Sequence, residues 1–260
     1  MGLDPFLYLC FSRRLFSVLQ SMKIYKITLT ICVLSIFLGG ILLFSDVGFS
    51  QTIIAFGDSL TEGCEVSILG CDGWDDGDYN YPVYLETFVN ANGPDSTVKN
   101  FGKGGETTSE GVNRLDTVLN SSCNLKVDYV LLLQGTNDLF HHEDPSVIRF
   151  NLGVMIDKVR AKGIEPVLAT ITPDWDNTWK ELDKANEYIR SLASEKGVVL
   201  ADQYNALAPY WYWYTNPRGC YGDQLHPNSK GFYAMAVVWF EAIPKPPVSF
   251  PWLMLLLDTP

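Results

Sequence analysis

The stretch Thr52-Ile53-Ile54-Ala55-Phe56-Gly57-Asp58-Ser59-Leu60-Thr61 decides the fold. Ile53 to Phe56 is a short apolar run, and Gly57 closes it. Runs of this kind are strands buried on both faces of a parallel sheet. Glycine has no Cβ and lets the chain turn sharply out of the strand. In open α/β sheets the chemistry collects at the carboxyl ends of the strands, so Ser59 stands where a nucleophile is placed. The same ten residues also fit a plain strand-to-helix turn with Ser59 as a helix N-cap. Only the rest of the chain separates the two readings.

Downstream, strand and helix patterns alternate. Tyr81-Pro82 opens a helix through Val89, with proline suited to a first helical turn. Thr97 to Phe101 reads as a second strand that delivers Gly102-Lys103-Gly104-Gly105-Glu106-Thr107. These glycines expose backbone for close approach, but no Gly-Lys-Ser/Thr follows, so the phosphate-loop reading fails. A helix from about Ser109 to Leu119 comes next. Val127 to Leu133 is the strongest strand and ends in Gln134-Gly135-Thr136-Asn137-Asp138, a polar loop. Pro145 to Lys162 reads as a helix closed by Gly163. Pro166 to Ile171 is a fourth strand, Trp179 to Lys196 a helix closed by Gly197, and Val198 to Leu200 a fifth strand ending at Asp202. Tyr210 to Tyr214 is an aromatic loop, and a last helix runs roughly from Ser229 to Glu241. The alternation predicts the α/β class: a three-layer α/β/α sandwich on a mostly parallel five-stranded sheet.

The two ends differ from this domain, which is expected over residues 51–243. Lys23 and Lys26 precede an uncharged run from Ile27 to Phe44, and Gly48-Phe49-Ser50 follows. A basic flank, an apolar stretch and small residues describe an export signal. The run spans 18 residues, so a retained membrane anchor stays open beside a cleaved signal. Residues 1–50 are therefore read as a leader, with Met22 an alternative start. Residues 244–260 form a Pro-rich and apolar tail, too short in its apolar part to span a bilayer. Past the leader the chain carries 15 basic residues against 28 acidic, a balance of −13. Lys and Arg never cluster there, so nucleic-acid binding is not expected. Membrane contact is expected only through the N-terminal segment, if it stays on the chain.

Cys64, Cys71, Cys123 and Cys220 remain outside the leader. An even number in an exported domain suggests two disulfides with three possible pairings; Cys64–Cys71 would close a short loop. No CxxC pair or Cys/His cluster calls for a metal. Asp72, Asp75, Asp76 and Asp78 crowd one loop, but the EF-hand pattern is absent and a solvated loop is the better reading.

Chemistry converges on Ser59, Gly105, Asn137, Asp223 and His226. A serine hydroxyl is a weak nucleophile until a base takes its proton, and histidine is the side chain suited to that near neutral pH. Of the three histidines, His141 and His142 have no partner pattern and read as surface. His226 follows Asp223 by three residues, and in a tight turn that carboxylate can fix the imidazole tautomer. Backbone N–H groups at Ser59 and Gly105 and the Asn137 amide are suitable donors for an oxyanion. Each residue also has a plain structural reading: Asn137 as a turn cap, Gly105 as a hinge, His226 as a helix-entry residue. Trp211 and Trp213 fit a core or a pocket wall equally.

Gly57-Asp58-Ser59-Leu60, Asn100 to Thr107, Gly135-Thr136-Asn137-Asp138 and Asp223-Gln224-Leu225-His226-Pro227-Asn228 resemble, in order, the four signature blocks of the SGNH (GDSL-type) hydrolases. The resemblance covers about residues 52–240. It implies a flavodoxin-like sheet and hydrolysis of acyl esters through an acyl-serine, with no cofactor and no metal. It assigns Ser59 as nucleophile, His226 as base, Asp223 as the residue orienting His226, and Ser59 N–H, Gly105 N–H and Asn137 as the oxyanion hole. The nucleophile block lacks the Gly-x-Ser-x-Gly elbow of α/β-hydrolases. Gln224 stands where many members have glycine, and the insert Gly63–Asn80 is longer than in compact members. The expected partner is a small-molecule or polysaccharide ester: acetylated carbohydrate, lysophospholipid, short acyl ester and thioester are all open. An O-acetyltransferase acting on sugars and a non-catalytic carbohydrate-binding protein on the same fold are the rival readings.

Overall fold

The quoted stretch becomes strand β1 (Thr52–Gly57), with every residue from Ile53 onward buried. The computed structural model describes residues 50–63, 80–92, 95–122, 125–174, 180–215 and 224–244. The leader up to residue 49, all six cysteines, the four clustered aspartates and the tail beyond Pro244 lie outside them.

β2 (Thr97–Gly102), β3 (Tyr129–Leu133), β4 (Glu165–Ala169) and β5 (Val199–Ala201) join β1 in one sheet. The order is β2-β1-β3-β4-β5, and every pairing is parallel. From β1 the chain crosses first to β2 on one side and then to β3 on the other. The strand order therefore reverses at β1, and in open α/β sheets it is outside the carboxyl end of such a strand that ligands bind. That end is Gly57, immediately before Asp58 and Ser59.

Successive strand residues feed opposite cores because side chains alternate across a sheet. Ile54, Phe56, Val130, Leu132 and Leu168 face one layer. It is built from α3 (Thr108–Ser121), α5 (Pro145–Ala161) and α6 (Leu182–Lys196). Ile53, Ala55, Leu131, Leu133 and Val167 face the other. That layer holds α2 (Tyr81–Asn92), α7 (Gln203–Leu207), α8 (Trp211–Thr215) and α9 (Ser229–Ala242). The three-layer expectation holds, and the sheet is parallel throughout. Each fully buried aliphatic side chain adds roughly 1.5–3 kcal/mol of hydrophobic stabilisation, so two continuous cores hold the strand ends firmly in register.

Helix ends follow local chemistry. Thr107 and Glu110 form a reciprocal capping box at the start of α3. Asp144 caps α5 ahead of Pro145, and Gly197 closes α6 in the left-handed region at φ 57°. Two expected loops are helical instead. Thr136–Phe140 forms a short helix, α4, where the run Gln134-Gly135-Thr136-Asn137-Asp138 suggested a loop. Ala208–Tyr210 is a 3₁₀ turn leading into α8. The aromatic residues obscured this helix because they lack a polar face to mark the period. α6 begins at Leu182, three residues after the expected Trp179.

Candidate active site

Ser59 is the first residue of α1 (Ser59–Glu62), a single turn set on the strand ends. Its N-cap is Asp58, not Ser59: Asp58 Oδ1 accepts from Leu60 N–H at 3.0 Å. This leaves the serine hydroxyl free of capping duty. The close seating of α1 explains the glycines around it. A Cβ at Gly57 would stand 2.0 Å from Thr61 Oγ1 and 2.5 Å from Leu133 O. One at Gly102 would stand 2.0 Å from Glu62 N. Gly57 is thus required for close approach, since its φ is not positive.

The β2–α3 loop runs beside the nucleophile. Asn100 Nδ2 donates to Glu62 O at 3.1 Å, and Gly104 N–H donates to Glu62 Oε2 at 2.9 Å. A Cβ at Gly104 would come within 3.9 Å of Ser59 Cβ. Gly105 takes φ +73° with open space on its Cβ side, which turns the loop past α1. Asn137, on α4, donates through Nδ2 to Glu106 O at 3.0 Å. That bond fixes which end of the amide faces the loop and leaves a second N–H on the same nitrogen.

His226 arrives from the far end of the sequence. Its Nε2 lies 2.9 Å from Ser59 Oγ, across 167 residues. The loop carrying it is held by α8 and by the cap of α9. Trp211 Nε1 donates to Gln224 O at 3.1 Å. Asn228 donates from its backbone to Tyr214 O and from Nδ2 to Trp213 O, while its Oδ1 accepts from Gly231 N–H. Of the aromatics left between core and pocket wall, Trp211 is 2% exposed and joins the core, whereas Trp213 is 67% exposed. Asp223 lies outside the described residues. His141 and His142 are exposed, as expected.

Asp58 is fully buried, and burial pushes its carboxyl up to about 7, against partial relief from the Leu60 N–H, His226 and Thr136. Its Oδ2 and the Thr136 hydroxyl have no hydrogen-bond partner among the described residues. Thr136 therefore eases ionisation by proximity without a formed hydrogen bond. Asp138, also buried, accepts from Thr108 N–H at 2.8 Å and from the Thr108 hydroxyl; burial raises its pKa. It joins the start of α3 to α4, and so the Gly105 loop to Asn137. A cavity of about 640 Å³ between α2, α7 and α9, walled by Tyr84, Leu207, Tyr210 and Tyr233, is lined by none of Ser59, Gly105, Asn137 and His226. Among the described residues no cluster of three metal-ligating side chains occurs.

Sequence reading missed Glu62, Glu106, Arg114 and Asp138. Glu62 and Asp138 accept from backbone N–H groups, Arg114 donates to backbone carbonyls, and the Glu106 carboxylate meets Arg114. Contacts to backbone and between residues that no motif links leave no pattern in the residue string. The Thr107–Glu110 capping box was the one readable sign of how the loop is fixed.

The fold is a parallel α/β sandwich in which a serine and a histidine meet beyond the strand ends. The family of GDSL-like lipases and acylhydrolases matches residues 55–234, and the chain belongs to it. It is 27% identical over 181 residues to an arylesterase from Vibrio mimicus, covering 69% of this chain and 81% of that one. A 131-residue region is 31% identical to the uncharacterized lipoprotein YqeF of Bacillus subtilis, covering 47% of this chain and 49% of that one. The lipase/acylhydrolase from Enterococcus faecalis superposes with a TM-score of 0.59 at 20% identity, over 74% of this chain and 95% of that one. The chain is a carboxylic ester hydrolase of this family.

Proposed function

We propose that the chain is an exported serine esterase that cleaves short acyl esters through an acyl-Ser59 intermediate. His226 Nε2 takes the Ser59 proton as Oγ attacks the ester carbonyl, and the carbonyl oxygen becomes an oxyanion. Ser59 N–H, Gly105 N–H and the second Asn137 N–H receive that charge. Collapse expels the alcohol, which takes the proton back from His226. Water then repeats the sequence on the acyl-enzyme and releases the acid. Asp223 orients the imidazole.

The observation that carries this reading is the 2.9 Å approach of His226 Nε2 to Ser59 Oγ. That distance suits direct proton transfer, and it joins residues with no local reason to meet. An acidic chain favours an uncharged ester over an anionic one. Kinship with an arylesterase favours an ester with a good leaving group, and an acetylated carbohydrate or a lipid ester is a further candidate substrate. Export rests on the basic-apolar leader before Gln51 and on the likeness to a lipoprotein; no described helix is long and apolar enough to cross a membrane. Two disulfides among Cys64, Cys71, Cys123 and Cys220 would accompany it.

The test is p-nitrophenyl ester hydrolysis across acyl lengths, with Ser59→Ala as control. The variant should lose turnover and labelling by a fluorophosphonate probe while keeping its melting temperature. Wild-type turnover in Ser59→Ala would end the proposal. Product analysis with a sugar acceptor present separates hydrolysis from acyl transfer.

A further inference from the structure

We propose that Glu106 and Arg114 form a positioning pair that holds the oxyanion donors of this esterase in place; the inference rests on the proposed roles of Ser59, Gly105 and Asn137. Glu106 follows Gly105 directly, and its side chain is fully buried. Buried carboxylates are retained only when their charge is met by partners. Arg114, on α3, meets it with two bonds of 2.6 Å, from Nε to Oε1 and from Nη2 to Oε2. Gln134, at the end of β3, adds a third, donating from Nε2 to Oε2 at 2.8 Å. Lys103 Nζ stands 3.6 Å from Oε1 at the loop surface.

The pair is placed to control three segments at once. Arg114 Nη1 donates to Phe101 O at 3.0 Å, and Nη2 donates to Gly57 O at 3.2 Å. Its guanidinium lies 4.2 Å from the centre of the Phe56 ring, so stacking fixes its plane. Gly57 leads into the nucleophile turn, and Phe101 leads into the Gly105 loop. The backbone of Glu106 completes the arrangement, because its carbonyl accepts from Asn137 Nδ2. One ion pair thus ties the end of β1, the Gly105 turn and the Asn137 amide into a single rigid frame. Neither side chain needs to touch substrate. Oxyanion donors lose effect when their aim shifts by a fraction of an ångström, so the frame acts on the transition state more than on substrate binding.

Arg114→Lys tests this. Lysine keeps the charge opposite Glu106 but has no planar fork to reach Gly57 O and Phe101 O together. With p-nitrophenyl acetate, kcat should fall at least tenfold and KM should move less than threefold. Inhibition by a trifluoromethyl ketone, which forms a tetrahedral adduct on the serine, should weaken in step with kcat/KM. Gln134→Met removes one bond to Glu106 without stranding a charge, so it guards against a variant that fails to fold; it should show the same pattern at three- to tenfold. Folded variants with wild-type kcat and wild-type ketone inhibition would overturn the proposal. So would a loss of kcat without weaker ketone inhibition, which would mark a merely structural pair. Ser59→Ala, assayed alongside, keeps the two questions apart: its inactivity upholds the esterase reading whichever way Arg114→Lys falls.

Discussion

His226 Nε2 lies 2.9 Å from Ser59 Oγ, and the two side chains meet across 167 residues of sequence. Ser59 stands on a turn pinned to the ends of β1 and β2. His226 stands on a loop pinned to α8 and α9. The distance between them is therefore set by two independent scaffolds, each of which can be loosened without touching the other.

Removing the imidazole tests the pair directly. His226→Ala should lower kcat/KM for p-nitrophenyl acetate by about 10²–10⁴-fold, the usual worth of a positioned base. Asp223→Asn should cost less, because it disturbs orientation and leaves the base present. A His226→Ala enzyme as fast as wild type would remove histidine from the chemistry.

Loosening only the histidine scaffold should separate activity from stability. Trp211→Phe keeps an aromatic ring in the core but loses the indole bond to Gln224 O. Asn228→Ala loses the α9 cap, worth about 1 kcal/mol, together with its bond to Trp213 O. Melting temperature should drop by roughly 2–4 °C in Asn228→Ala, while kcat falls severalfold in both variants. Unchanged kcat in both would show that the loop holds His226 without them.

What the residue string revealed follows the range of each interaction. β1 was legible because an apolar run needs only its own residues, and the end of α6 was legible because its closing glycine, Gly197, acts within one turn. The partnership of Ser59 with His226 was legible only through motif order, since nothing local links them. The Glu106–Arg114 pair was not legible, because its meaning lies in the carbonyls of Gly57 and Phe101, and every residue has a carbonyl. The helical state of Thr136–Phe140 was hidden too: α4 makes no side-chain cap bond, and its place is fixed by Asp138 reaching across to Thr108.

Two glycines beside the site should answer differently to the same methyl group. In Gly102→Ala the new Cβ meets the backbone of Glu62 at 2.0–2.4 Å. Backbone cannot give way as a side chain tip can, so overpacking should cost several kcal/mol and displace α1. In Gly105→Ala the Cβ meets open space. The cost is then the left-handed φ alone, about 1–2 kcal/mol. Thermal denaturation should rank Gly102→Ala well below Gly105→Ala, and equal losses would contradict the seating of α1 on β2.

Asp58 makes stability depend on pH in an unusual direction. Burial lifts its carboxyl from 3.8 to about 7 in the folded chain. Below pH 4 both folded and unfolded states hold the proton, and the group costs nothing. As pH rises past 4 the unfolded chain releases its proton while the fold still keeps it, so stability falls until about pH 7 and then levels. Three pK units correspond to about 4 kcal/mol at most. Asp58→Asn retains an oxygen to accept from Leu60 N–H but cannot ionise. Relative to wild type, its melting temperature should therefore rise by roughly 10 °C between pH 4 and pH 8. A difference between variant and wild type that stays constant across that interval would mean the Asp58 carboxyl is ionised in the fold at ordinary pH, and that His226 and Thr136 compensate its burial in full.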